Sequence, residues 1–370
     1  MTNLDKLATE MMGALLVAQG ESIKTGERYE DKLDAILHSK WLQIVSLLRR
    51  PRGDYATNLV LARRLLQELT EEIERHVTEG LDQVGFTARR SVRDSFRNVI
   101  PAELKENRIV TRFVEAERPR RLKKRRIEEL SENEIFRIVR SGHYGARMRK
   151  WSSRLLRADN VARILAEGLA RGQDVNEIAQ SILPFVRDYV AAAKRILRTE
   201  TSRVHNQILE RSFEQYRDLI VGFQIIAILD DRTRPHHATR HGKIWYTYKA
   251  PRAEDRPDLP DEPNCRCTYT PLLRTGSKGH GTPLPSTRLY SSWFDRQTIT
   301  TKKRIVGRAR YAAVQSKISR PSWNDFINPS TGKLIHTSTL ERKSAAAIKR
   351  TREQLNSRQK KQAELARGFR

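Results

Sequence analysis

The feature that most constrains this chain is a switch in hydrophobic periodicity near residue 220. Up to about residue 218 the apolar positions keep helical spacing. Between Asn58 and Leu81, for example, Leu59, Ala62, Leu65, Leu66, Leu69, Ile73 and Val77 recur every three or four residues. Arg63, Arg64, Glu68, Glu71, Glu72 and Glu74 fall mostly outside that stripe, so it predicts a helix packed against other helices. Asp174 followed by Glu177, just before Ile178, Ile182 and Leu183, has the form of a capping box and predicts a further helix start. Pro184 is expected to bend or break that helix, which continues through Ile196, Leu197, Val204 and Ile208. Beyond Val221 the pattern changes to short β-branched and aromatic runs at 223–229, 244–248 and 267–270, which predict a small sheet. Residues 250–264, with Pro251, Pro257, Pro260 and Pro263, read as a loop between the second and third strands.

The expected fold class is therefore α+β and predominantly helical. Residues 1–165 form a helical N-terminal region, 166–275 a domain with the small sheet, 276–288 a linker rich in Gly, Ser and Pro, 289–340 a small accessory segment, and 341–370 a basic C-terminal helix or tail. Trp293, Tyr311, Trp323 and Phe326 are read as anchors of a small core in the accessory segment, with base stacking as the alternative.

Charge narrows the partners. The 71 Lys+Arg against 44 Asp+Glu leave a formal charge of +27, which repels itself unless a polyanion is near. Two tracts are conspicuous. Seven of the nine residues from Arg118 to Arg126 are basic, namely Arg118, Arg120, Arg121, Lys123, Lys124, Arg125 and Arg126. Residues 341–370 hold ten basic and three acidic residues, including Lys349, Arg350, Arg352, Lys360 and Lys361. These are the candidate contacts to double-stranded DNA, made without base-specific readout. No run approaches the roughly 18 apolar residues a membrane span requires, and residues 1–20 lack the pattern of a signal peptide, so no stable membrane insertion is expected. The two cysteines cannot build a disulfide framework and suit a reducing compartment.

The segment richest in chemistry is 230–242, Asp230-Asp-Arg-Thr-Arg-Pro-His-His-Ala-Thr-Arg-His-Gly242, followed by Asn264-Cys-Arg-Cys267. Three histidines lie within six residues and both cysteines within three. Thiolate and imidazole donors suit zinc, and a tetrahedral site would draw on Cys265, Cys267, His237 and one of His236, His241 or Asp231. A hydrogen-bonded clamp without metal is the alternative. A metal-dependent nuclease using Asp230 or Asp231 with His236 or His237 is the competing enzymatic reading.

Arg198-Thr-Glu200 within a helix, Asp230-Asp-Arg-Thr-Arg234, His237 five residues before Gly242, and Pro263-Asn-Cys-Arg-Cys267 leading into a strand together resemble the Mu-F-like minor head protein family of tailed bacteriophages, also called the phage head morphogenesis family. The core of the resemblance covers about 170–275. Its motif positions are Arg198, Thr199, Glu200, Asp231, Arg232, Arg234, His237, Gly242, Pro263, Asn264, Cys265 and Cys267. His241 stands before the glycine, where an acidic residue is common in the family. The resemblance implies a non-enzymatic minor structural protein of the virion, made in the host cytoplasm. It also implies association with the portal, with major capsid or scaffold protein and with packaged DNA, in head morphogenesis or DNA delivery. Residues 1–165 would match the chain to its own portal or capsid. ADP-ribosyltransferase domains sometimes accompany the family, but here the Glu-x-Glu pair Glu132-Asn-Glu134 precedes Arg198, contrary to their order.

Overall fold

Three long helices make the first layer: α1 (Asn3–Leu48), α2 (Tyr55–Glu106) and, after the short α3 (Glu132–Arg140), α4 (Val175–Glu214). At about 1.5 Å per residue α2 is about 80 Å long. The structure is a computed structural model that describes residues 3–48, 55–106, 130–142, 175–214, 220–247, 253–273, 289–328 and 331–367. A few isolated positions between 147 and 173, and 251, are also described. The tract Arg118–Arg126 and the expected linker lie outside the described residues.

The ion pairs of Lys40 with Glu68 and Glu72, and the approach of His76 Nε2 to the Tyr29 carbonyl, set α1 and α2 antiparallel. Helix α4 returns along both: Tyr189 Oη donates to the Thr70 carbonyl, Lys194 pairs with Asp34 and Arg198 with Glu30. The predicted stripe on α2 is buried at Leu66, Leu69, Ile73 and Val77 and runs on through Leu81, Val84 and Ala88. One core joins it to Leu33 and Ile44 of α1 and to Ile182, Val186, Leu197 and Val204 of α4, so the core is continuous across the boundary expected near residue 165.

Of the bend or break expected at Pro184 the break does not occur, and the helix runs on through it. Pro184 is exposed, while Ile182, Leu183 and Val186 around it are buried, so packing on both sides holds the helix against the proline's cost of about 3 kcal/mol.

Helix α3 packs against α2 and α4 beside Gly85 and Val204. Ser131 and Glu134 form a capping box, and Ile135 and Val139 are buried. The pair Glu132-Asn-Glu134 is thus the first turn of a structural helix.

The sheet lies beyond the end of α4. It has the order β2-β1-β3, with β1 (Ile220–Ile226) antiparallel to both β2 (Ile244–Tyr246) and β3 (Thr268–Leu273). Strand β1 begins three residues before the run that predicts it and ends earlier, because the Ala227 N–H turns to His241 Nδ1 at 2.9 Å. At Gly222 a Cβ would lie 2.6 Å from the Trp245 carbonyl oxygen, so β1 and β2 approach closely only because that side chain is absent. Met11, Leu15, Phe96, Leu209, Phe213, Ile225, Trp245 and Tyr269 weld the sheet to the bundle. The short helix α5 (Pro235–Arg240), with proline in its first turn, bridges β1 and β2.

A C-terminal lobe follows: α6 (Tyr290–Asp295), α7 (Ile299–Val306), α8 (Arg308–Gln315), α9 (Thr337–Arg342) and α10 (Ala345–Arg367). Tyr290, Phe294, Tyr311, Trp323 and Phe326 form its core, with Trp293 packed against it, as read from the sequence. Ala238 of α5 belongs to that core and Thr239 Oγ1 donates to the Gly332 carbonyl, so the lobe seats on α5. The basic helix α10 is anchored over its first turns, where Ile348 and Thr351 are buried.

Candidate metal centre

The loop from Asn264 to Cys267 is held along its backbone by the bundle. Thr199 Oγ1 accepts from the Asn264 N–H at 2.9 Å, Gln19 Nε2 of α1 donates to the Arg266 carbonyl at 2.8 Å, and Asn206 Nδ2 donates to the Cys267 carbonyl at 3.0 Å. Thr268 Oγ1 then returns a hydrogen bond to Asn206 Oδ1. Asn264 takes a left-handed φ of 63°, a conformation asparagine tolerates better than most residues, directly after Pro263. The side chain of Arg266 reaches Asp230 with two hydrogen bonds of 2.8 and 2.9 Å. Asp230 also accepts from the Arg232 N–H and from Thr233 Oγ1, so one carboxylate ties both loops together.

Opposite this loop, α5 presents His237. His237 Nδ1 lies 3.2 Å from Cys267 Sγ and 3.8 Å from Cys265 Sγ, and all three residues are buried. The three donor atoms lie within 4.8 Å of one another. The opposite ring nitrogen, Nε2, is 2.5 Å from Glu262 Oε1, and Glu262 also pairs with Arg234 and His236. Asp261 stands beside this cluster: its Oδ1 is 3.7 Å from His237 Nδ1, where it groups with His236 and His237 rather than with both sulfurs, while its Oδ2 pairs with Arg240.

Electrostatics follows from these contacts. For His237 burial works against the charged ring, but hydrogen bonds with Cys265 and then Glu262 outweigh it and raise its pKa. The hydrogen bond with Cys267 is the main cause of a Cys265 pKa pulled down to about 5, with His237 assisting against burial. Cys267 moves the other way, pushed up by that same bond and by burial. The Asp261 and Glu262 carboxyls are partly buried, yet Arg240 and Arg234 respectively hold them below the usual range.

The other anticipated ligands are turned elsewhere. His241 is buried, but its Nδ1 accepts from the Ala227 N–H, and Asp231 pairs with Arg304 of α7. Neither joins the sulfur cluster among the described residues, because each is occupied by a neighbouring element. His236 reaches Glu262 and groups with His237 and Asp261 rather than with the sulfurs. The sequence reading missed Asp261 and Glu262 as partners and Asn206 and Gln19 as supports. The adjacency of Asp261 and Glu262 to Pro263-Asn-Cys was the available signal.

The remaining motif positions are structural in geometry. Arg198 pairs with Glu30 across the bundle, and Glu200, 2% exposed, pairs with Arg203 and Arg147. Arg203 in turn donates to the carbonyls of Ile138 and Val139, tying the end of α3 to α4. Arg232 reaches back to Asp230, and Gly242 has a positive φ of 85° and receives Gln224 Nε2 on its carbonyl. A cleft of about 600 Å³ runs beside the cluster, lined by Glu30, Arg198, Arg232, His237, Cys265 and Cys267 among others.

Of the candidate DNA contacts on α10, Lys349, Arg350 and Lys360 are exposed, whereas the side chain of Lys361 lies outside the described residues. Arg352 is half-buried and paired with the fully buried Asp325. No helix among the described residues is long and apolar enough to cross a membrane.

Residues 159–270 match the family described as Phage Mu protein F like protein. No curated protein and no solved structure matches the chain.

Proposed function

We propose that this chain, whose residues 159–270 match the Mu-F-like phage family, is a minor structural protein of the virion head that docks the portal and touches packaged DNA. The observation that carries the reading is the character of the motif. Arg198, Asp230, Asp231, Arg234 and Arg266 are each matched to an opposite charge from another part of the fold, and Glu200 to Arg203 of its own helix and to Arg147. That pattern welds bundle, sheet and lobe together. The positive surplus of 27 supports contact with DNA, and the exposed Lys349 and Arg350 on α10 support one place for it.

The direct test is co-purification with a portal ring after co-expression, where failure of the two to associate would sink the portal part. For DNA, affinity should fall steeply with salt and differ little between sequences. Replacing Lys349 and Arg350 by serine should lower the log–log salt slope by about 2. Salt-insensitive binding would overturn the DNA part, and cleavage of DNA with divalent cations by wild type but not by His237→Ala would overturn the structural reading.

A further inference from the structure

We propose that His237 Nδ1, Cys265 Sγ and Cys267 Sγ, which the fold brings together, bind a single zinc ion that staples α5 to the Cys-Arg-Cys loop, with Asp261 Oδ1, 3.7 Å from His237 Nδ1, turning in as the fourth ligand. Bond lengths of about 2.3 Å to sulfur and about 2.0 Å to nitrogen put tetrahedral N···S separations at about 3.5 Å. The observed 3.2 and 3.8 Å bracket that value. The donors are two sulfurs, an imidazole and a carboxylate, a set that selects a borderline-soft divalent ion over magnesium or calcium.

Two further observations point to a metal rather than to a reactive thiol. A cysteine–histidine nucleophile needs one sulfur on one ring nitrogen, whereas here both sulfurs converge on the same nitrogen and both are buried. The donors are also oriented from behind, as metal ligands are. Glu262 takes the far nitrogen of His237, Arg240 takes the second oxygen of Asp261, and the bundle holds the loop backbone at Asn264, Arg266 and Cys267. With four protein ligands the site is closed, so the ion is structural. It would join α5, and with it the C-terminal lobe, to the loop that α1 and α4 clasp.

The inference stands apart from the head-assembly role and is tested on the full chain. Elemental analysis of protein purified without chelator should give one zinc per chain. Stripping it should lower the thermal midpoint, and zinc should restore it. Cobalt added to the stripped chain should give thiolate charge-transfer and tetrahedral d–d bands. Cys267→Ser should abolish those bands. If that variant fails to fold, Glu262→Gln keeps every ligand and should weaken zinc binding by about 10- to 100-fold. A chain that takes up neither zinc nor cobalt, or a cobalt spectrum without thiolate bands, would overturn the site. Full zinc affinity and an unchanged cobalt spectrum in Asp261→Asn would overturn the fourth ligand.

Discussion

Replacing Arg352 by methionine should destabilise the C-terminal lobe far more than it weakens DNA binding. Asp325 is 0% exposed, and Arg352 approaches it with Nε at 2.6 Å from Oδ1 and with Nη2 on Oδ2. Removing one partner of a buried pair costs about 3–5 kcal/mol because the other charge is left without compensation. Two features reduce that figure here. Asp325 keeps the hydrogen bond from the Ser322 N–H at 2.7 Å, and the Arg352 side chain is 27% exposed, which leaves water some access. A loss of about 2–4 kcal/mol is expected, equivalent to about 30- to 1,000-fold faster amide exchange if the lobe opens as a unit. Hydrogen–deuterium exchange resolved over peptides from 289–328 and 331–367, with the α1–α2 peptides as internal control, measures this directly. Asp325→Leu with Arg352→Met should recover part of the loss, since no buried charge remains. Lobe exchange within about threefold of wild type, together with a loss of DNA affinity equal to that of Lys349→Met, would refute the internal role of Arg352.

Three other outcomes follow from the same geometry. Gly222→Ala sets a methyl group against the Trp245 carbonyl and should destabilise the chain by about 1–3 kcal/mol, measured by urea unfolding, whereas a neutral result would mean that β1 and β2 are not so close. Asn206→Ala leaves the Cys267 carbonyl and Thr268 Oγ1 without their partner inside the fold and should cost about 1–3 kcal/mol in thermal or urea denaturation; an unchanged midpoint would count against the clasp. His205 is fully buried, and burial lowers its pKa to about 4. Between that value and the unfolded value of about 6.5 the unfolded chain binds the extra proton, so this contribution is intact above that window. It is lost as pH falls, by up to about 3 kcal/mol. His205→Gln should flatten the urea midpoint between pH 7 and 4 relative to wild type, and parallel profiles would contradict the assignment.

The predominantly helical N-terminal part, the three strands in order and the aromatic core of the lobe were legible in the sequence because each depends on local periodicity, whereas the packing of the long helices into a bundle was not. A stripe every three or four residues, or a short β-branched run between turns, states which face must be buried regardless of what covers it. The donors His237, Cys265 and Cys267 were legible for a similar reason, since few residue types can hold zinc and these lie close along the chain. Which carboxylate lies beside the set was not. Asp231 and His241 are nearer His237 in sequence than Asp261 is, yet Arg304 and the Ala227 N–H turn them away. The basic residue Arg352 likewise looked like its exposed neighbours Lys349 and Arg350 until a buried aspartate 27 residues away claimed it. Side-chain direction in a loop is set by hydrogen bonds to distant elements, as in the link from Gln19 to Arg266 across 247 positions, and no local pattern encodes such a partner. The sequence by itself determined the elements and the chemistry available. Only the tertiary structure decided which of those groups meet, because long-range packing selects among side chains that composition and spacing leave equivalent.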